Sequence, residues 1–176
     1  MDMTLMNGCC DSCWHTAAKP CPDFLECLNT SPKCHESASC RDRSQRRLAE
    51  LRRESVTRPV IFVGAGTCGL AAGAKATLDK VRQYVKDNKV EADIVETGCV
   101  GLCSAEPILD VQMPGKARLM FEHVTADKVE AVLSGLLQDG QANAEVLLGQ
   151  YENDKHQSWP AVPYVNEHAF FKPQTR

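Results

Sequence analysis

Seven of the ten cysteines in this chain fall within residues 9–40, a stretch of Cys, Pro, Ser and Asn with few large aliphatic residues. Such a segment buries too little apolar surface to order itself and needs a metal or a crosslink. The hydrophobic core must therefore come from elsewhere in the 176 residues, a length that suits one compact domain with extensions. The other three cysteines, Cys68, Cys99 and Cys103, lie inside that core-forming part.

The first set runs Cys9, Cys10, Cys13, His15, Cys21, Cys27, Cys34, His35 and Cys40. Cys10 and Cys13 form a C-x2-C pair, a spacing at which one turn presents two sulfurs to a metal. Zinc is the expected occupant, and seven Cys with two His exceed the four ligands of one tetrahedral ion. A [4Fe-4S] cluster suits four thiolates equally, although the compact C-x2-C-x2-C-x3-C run is missing. Disulfides are the reading for an oxidising compartment. The N-terminus has neither the basic start nor the apolar stretch of a secretory signal, and no apolar run approaches the roughly 20 residues of a membrane span. The expected location is cytoplasmic, which favours metal over disulfide.

Four segments follow from composition: the Cys-rich residues 1–40, an Arg-rich helical linker at 41–58, a globular domain at 59–138 and an extended tail at 139–176. The linker holds seven Arg against three acids. It reads as a solvated helix with Arg-to-acid pairs, Glu50 with Arg46 or Arg47 and Glu54 with Arg58, ended by Pro59. In the globular part, Val60-Ile61-Phe62-Val63 predicts a strand buried on both faces. Leu70, Ala74, Leu78, Val81 and Val85 predict one amphipathic helix ending near Asn88. Val90 to Val95 predicts a second strand, parallel to the first through a right-handed crossover. Ile108–Val111 and Arg118–Phe121 flank Pro114-Gly115 and read as a hairpin. Thr125 is the expected cap of a last helix bearing Val129, Val132, Leu133, Leu136 and Leu137. The expected fold is α/β, in the order β-α-β-β-β-α. The tail carries Trp159, Tyr164, Phe170 and Phe171, anchors for docking on a partner surface or for wrapping its own domain.

Cys68 follows the first strand at the start of the first helix, where the helix dipole favours a thiolate. Cys99 and Cys103 follow the second strand, and adjacent parallel strands bring their C-terminal loops together. The three sulfurs are therefore expected to converge at one end of the sheet, with Gly98 and Gly101 letting the loop fold tightly. As isolated residues they would instead be ordinary small buried cysteines.

The stretch IFVGAGTCGLAAGA, then VETGCVGLCSAEPILDVQM, then VTADKVEAVL resembles thioredoxin-like [2Fe-2S] ferredoxins. It is similar in particular to the ferredoxin-like domain at the N-terminus of NADH-binding flavoprotein subunits. Those subunits belong to NAD(P)-reducing hydrogenases, formate dehydrogenases and electron-bifurcating complexes that resemble the NADH arm of complex I. The resemblance covers about half of the chain. It implies a thioredoxin-like core and a [2Fe-2S] cluster on Cys68, Cys99 and Cys103. The family pattern has four cysteines, however, and aligning Gly73-Ala74 with its Gly-Ala pair places Gly64 where the first should stand. The cluster then takes a ligand from outside the motif, or it has been lost and the fold serves docking. HAFFKPQTR resembles the linker into a flavin domain, and no flavin- or NADH-binding segment follows it here. FMN and NADH are thus expected on a partner, unless the sequence is a fragment of a longer subunit.

Other classes are disfavoured. The net charge of −3 and the absence of aromatics interleaved with the Arg run argue against nucleic-acid binding. Gly64-Ala65-Gly66-Thr67-Cys68-Gly69 has the G-x-G-x-x-G form, but a dinucleotide site needs an acid about 20 positions on, and Glu96 stands roughly 30 on. C-x3-C is not the C-x-x-C redox motif, and no Walker loop, nucleophile elbow or H-E-x-x-H is present. The expected function is a non-catalytic electron-transfer subunit of an NADH-linked flavin and iron–sulfur oxidoreductase, in which electron bifurcation is one option. Its partners would be a flavin- and NADH-binding subunit and other iron–sulfur subunits. The alternative is a non-redox assembly module with a zinc-bound N-terminus and a cluster-free ferredoxin fold.

Overall fold

The computed structural model describes residues 38–174. Cys9, Cys10, Cys13, His15, Cys21, Cys27, Cys34 and His35 lie outside the described residues, and Cys40 is described by its backbone alone. The chain divides into two units between Ser55 and Val56. In the first, helix α1 spans Ala38–Leu51 and so begins three residues before the expected linker. Arg46 turns its guanidinium back to the Asp42 carbonyl of the same helix, 3.3 Å away. Arg58, in the second unit, reaches Asp93.

The second unit is built on β1, Val60–Gly64, which is buried at all five positions as its continuous apolar run requires. The helical segment after it differs from expectation. In place of one helix there are two, α2 at Thr67–Ala71 and α3 at Ala74–Asp87. Gly73 separates them with a φ of 101°, a conformation that breaks the helical ladder and that side chains resist. Leu70 belongs to the short first piece and is 53% exposed, so it leaves the apolar stripe, whereas Ala74, Leu78 and Val81 stay buried in it.

Strand β2 covers Asp93–Thr97, beginning later than the apolar pattern alone predicts. Val90 and Ala92 pack against the core edge from the turn that precedes it. Strands β1 and β2 pair in parallel, with Val60 opposite Asp93 and Gly64 opposite Thr97. Strand β3, Leu109–Gln112, and strand β4, Leu119–Phe121, form the expected hairpin around Pro114-Gly115, where Gly115 has a φ of 71°. Helix α4 spans Val129–Leu137, four residues beyond Thr125. Thr125 instead heads a turn closed by the Lys128 amide donating to its carbonyl at 2.9 Å.

A fifth strand was not anticipated. Residues Leu147–Gln150 form β5, antiparallel to β4, and complete a sheet in the order β2-β1-β3-β4-β5. A parallel β1–β2 crossover continued by an antiparallel hairpin and a helix is the thioredoxin-like arrangement, here extended by one edge strand. The tail is therefore part of the compact unit, whose boundaries are wider than 59–138. Buried Gln150 ties it down: its amide donates to the Trp159 and Val162 carbonyls, and its oxygen accepts the Trp159 amide at 2.8 Å.

The sheet is covered on both faces. Ile61, Val63, Leu109, Val111, Leu119 and Phe121 point toward α3 and α4 and share one core with Val81, Val132 and Leu133. Met120 faces the other way, into a smaller cluster of Leu102, Ala105, Ile108, Val165 and Phe171. Among the described residues no helix is long and apolar enough to cross a membrane.

Candidate metal centre

Two loops meet at the C-terminal end of the parallel pair β1 and β2. One leaves β1 and enters α2 through Gly66, delivering Cys68 in the first turn. The other leaves β2 at Thr97, carries Cys99, reverses at Gly101 with a φ of 92° and ends in a 3-10 turn, Cys103–Ala105. The loops touch at the backbone. A Cβ on Gly66 would stand 2.9 Å from the Cys99 nitrogen, so this position admits only glycine without a shift. Their contact brings Cys68, Cys99 and Cys103 together, with the three sulfurs all within 4.8 Å of one another. This is the convergence expected from the order of the strands.

The Cys103 thiol stands 2.9 Å from the Cys68 sulfur, and the Cys99 and Cys103 sulfurs are 3.7 Å apart. The Gly101 amide donates to the Cys99 sulfur at 3.2 Å. Cys68 is half-buried, whereas Cys99 and Cys103 are exposed. Hydrogen bonding to Cys68, and then to Cys99, pushes the Cys103 thiol up to about 12. Three thiolates this close repel one another, and a bound cation is what lets them all deprotonate. A soft, all-sulfur donor set at the rim of a sheet fits iron–sulfur or zinc chemistry rather than a hard cation.

No family model matches the chain. Over 94 residues it is 24% identical to the NADP-reducing hydrogenase subunit HndB of Solidesulfovibrio fructosivorans, an alignment spanning 53% of this chain and 75% of that one. Among solved structures it is similar to a thioredoxin-like [2Fe-2S] ferredoxin from Aquifex aeolicus, with a TM-score of 0.47 and 14% identity over 56% of this chain and 96% of that one. A second, wild-type structure of the Aquifex aeolicus ferredoxin gives a TM-score of 0.46 at 14% identity, over 53% and 98%.

The surroundings of the cysteines include residues that the sequence did not single out. Glu106 is only 6% exposed, and its carboxylate is held by the Ile108 amide, which donates to Oε2 at 2.8 Å. Its other oxygen, Oε1, is buried without a hydrogen-bond partner. Beyond it, buried Asp110 accepts from the Arg118 guanidinium and from the Tyr151 hydroxyl. Arg118 stacks on the Phe62 ring at 3.7 Å and the Tyr151 ring at 4.9 Å. Burial pushes the Asp110 carboxyl above its ordinary range, and Arg118 opposes this. A small cleft lined by Gly64, Gly98, Val100, Glu106, Asp110 and Arg118 joins the cysteine loop to this polar group.

Two further contacts frame the site. Phe170, from the tail, stands 3.5 Å from where a Cβ on Gly101 would lie, so the tail buttresses the cysteine loop. Leu70 and Val100, at 53% and 40% exposed, stand close in sequence to Cys68 and Cys99. Glu96, the acid nearest a dinucleotide-binding role, is paired with Arg82 at 2.8 Å, which leaves the G-x-G-x-x-G form without its partner chemistry.

Proposed function

We propose that this chain is an electron-transfer subunit of an NAD(P)H-linked oxidoreductase complex, carrying a [2Fe-2S] cluster on Cys68, Cys99 and Cys103. The observation that carries this reading is the meeting of the three sulfurs at the C-terminal end of β1 and β2. The similarity to a hydrogenase subunit supports the setting, a hetero-oligomeric complex of the NAD(P)H-linked kind. The cluster would accept and pass on single electrons, while the chain supplies ligands, position and potential. FMN and NADH would be held by a partner, other iron–sulfur subunits would complete the complex, and electron bifurcation is one form the complex could take. In the N-terminal segment zinc, held by a subset of Cys9 to Cys40 with His15 and His35, remains the proposal. The cytoplasm is the proposed location.

The test is anaerobic reconstitution of the full chain with iron and sulfide, followed by EPR of the reduced protein. The expected result is a reducible [2Fe-2S] signal that Cys99→Ser and Cys103→Ser abolish. Iron uptake that those substitutions leave unchanged, or zinc as the sole metal of the chain, overturns the proposal in favour of a cluster-free assembly module.

A further inference from the structure

The three sulfurs leave a ligand set one short of the four that a [2Fe-2S] cluster takes from its protein. We propose that Glu106 completes it, with a carboxylate oxygen in the place of the fourth thiolate. This inference rests on the function proposed above and names a ligand that the cysteine pattern does not contain.

Four observations lead to Glu106. Its carboxylate lies where residue 64 would project its side chain, since a Cβ on Gly64 would be 3.0 Å from Oε2 and 3.5 Å from Oε1. The resemblance to four-cysteine ferredoxins would put its first thiol at Gly64, so the expected place of one donor and the observed place of another coincide. Gly69, next to Cys68, is equally bare and close, its Cβ position lying 3.1 Å from Oε2. Glu106 also shares its cleft with Gly98 and Val100, the two neighbours of Cys99. It ends the 3-10 turn that begins at Cys103, so one short piece of backbone carries both groups.

The state of the carboxylate supports the same conclusion. A buried carboxylate oxygen with no partner is expensive to keep, because desolvation is not offset by any hydrogen bond. Oε2 is anchored by the Ile108 amide, which orients the group and leaves Oε1 alone without a partner. A metal ion is the kind of partner that repays such a group. The three sulfurs form the tight set within 4.8 Å, and the carboxylate lies outside that set, against Gly64 and against Gly69, the residue after Cys68. A carboxylate carries the same charge as a thiolate, so the net charge of the site is that of a four-cysteine centre. It is a harder donor, however, and the iron it binds will differ spectroscopically from an all-thiolate one.

The experiment compares full-length wild type, Glu106→Gln and the double variant Glu106→Gln/Gly64→Cys after the same anaerobic reconstitution with iron and sulfide. Wild type is expected to give a reduced-state EPR signal that Cys99→Ser removes. Glu106→Gln should lower that signal and the associated iron at least tenfold, with circular dichroism of the metal-free protein unchanged. The double variant should recover both, with g values and absorption maxima displaced from those of wild type. Glu106→Gln with the iron content and spectrum of wild type overturns the ligand assignment while leaving the proposed function standing. Loss in Glu106→Gln without recovery in the double variant also overturns it, because Glu106 is then a support for the fold. Wild type with no iron dependent on Cys99 overturns the proposed function and the assignment together.

Discussion

The two faces of the sheet are closed by different means. On one, α3 and α4 lay regular apolar stripes over Ile61, Val63, Leu119 and Phe121. On the other, a loop, a 3-10 turn and the chain's tail cover Met120 and Ile108 with Leu102, Val165 and Phe171, beside buried Asp110 and its half-buried partners Arg118 and Tyr151. The helical face is a matter of packing, and the Thr77 hydroxyl buried there is satisfied by donating to the Val124 carbonyl. The irregular face is where polar groups are buried and where the cysteine loop is supported. Chemistry sits beside the face that regular structure does not seal.

Substitutions can test how far that division holds. Phe121→Ala, at the fully buried centre of the helical face, should have the largest effect, a loss of about 3–5 kcal/mol in denaturant unfolding. Phe171→Ala should destabilise by up to about 3 kcal/mol within the same single transition, since Gln150 ties the tail to the sheet. A separate, earlier transition in either protein would show that the tail is an independent unit and break the comparison.

Gly66→Ala should then separate site from fold. Its methyl would press on the Cys99 backbone at 2.9 Å, so a loss of about 1–3 kcal/mol is expected, with metal uptake falling more than the melting temperature. The smallest effect is that of Asp110→Asn on pH dependence. The folded-state pKa of Asp110 is raised above 3.8, so the folded chain holds this proton more tightly than the unfolded chain. Its contribution to stability is full below 3.8 and is lost as pH rises through the folded value. Asp110→Asn should remove that part of the slope, read as denaturation midpoints across the acid-to-neutral range. An unchanged slope would mean that Arg118 fully compensates the burial.

The helical face was legible in the sequence and the irregular face was not. Apolar runs and period-3.6 stripes report burial against regular partners, so β1, the hairpin and the apolar sides of α3 and α4 could be read directly. The convergence of Cys68, Cys99 and Cys103 was legible as well, because strand order alone places their loops together. The break at Gly73 was missed, since Leu70 kept the helical period while lying outside the helix that it seemed to continue. Strand β5 was missed because Leu147–Gln150 is short and includes a glycine, Gly149, whose Cβ would meet the Pro163 carbonyl at 2.8 Å. Glu106 was missed for a different reason. An acid between Ala105 and Pro107 looks solvated, and what buries it, Gly64 and Gly69, lies about forty residues away in sequence and is conspicuous only for side chains it lacks.

The backbone contact between Gly66 and Cys99 has one more consequence. Two protein arms that touch without intervening side chains move together or not at all at the point of contact, so the positions of Cys68 and Cys99 are coupled. If the proposed cluster changes charge by one electron there, such coupling would limit how far the surrounding protein rearranges and keep the nuclear contribution to the barrier small. If the proposed cluster passes electrons, the pace is then set by how near a donor or acceptor can come to the loops that carry exposed Leu70 and Val100.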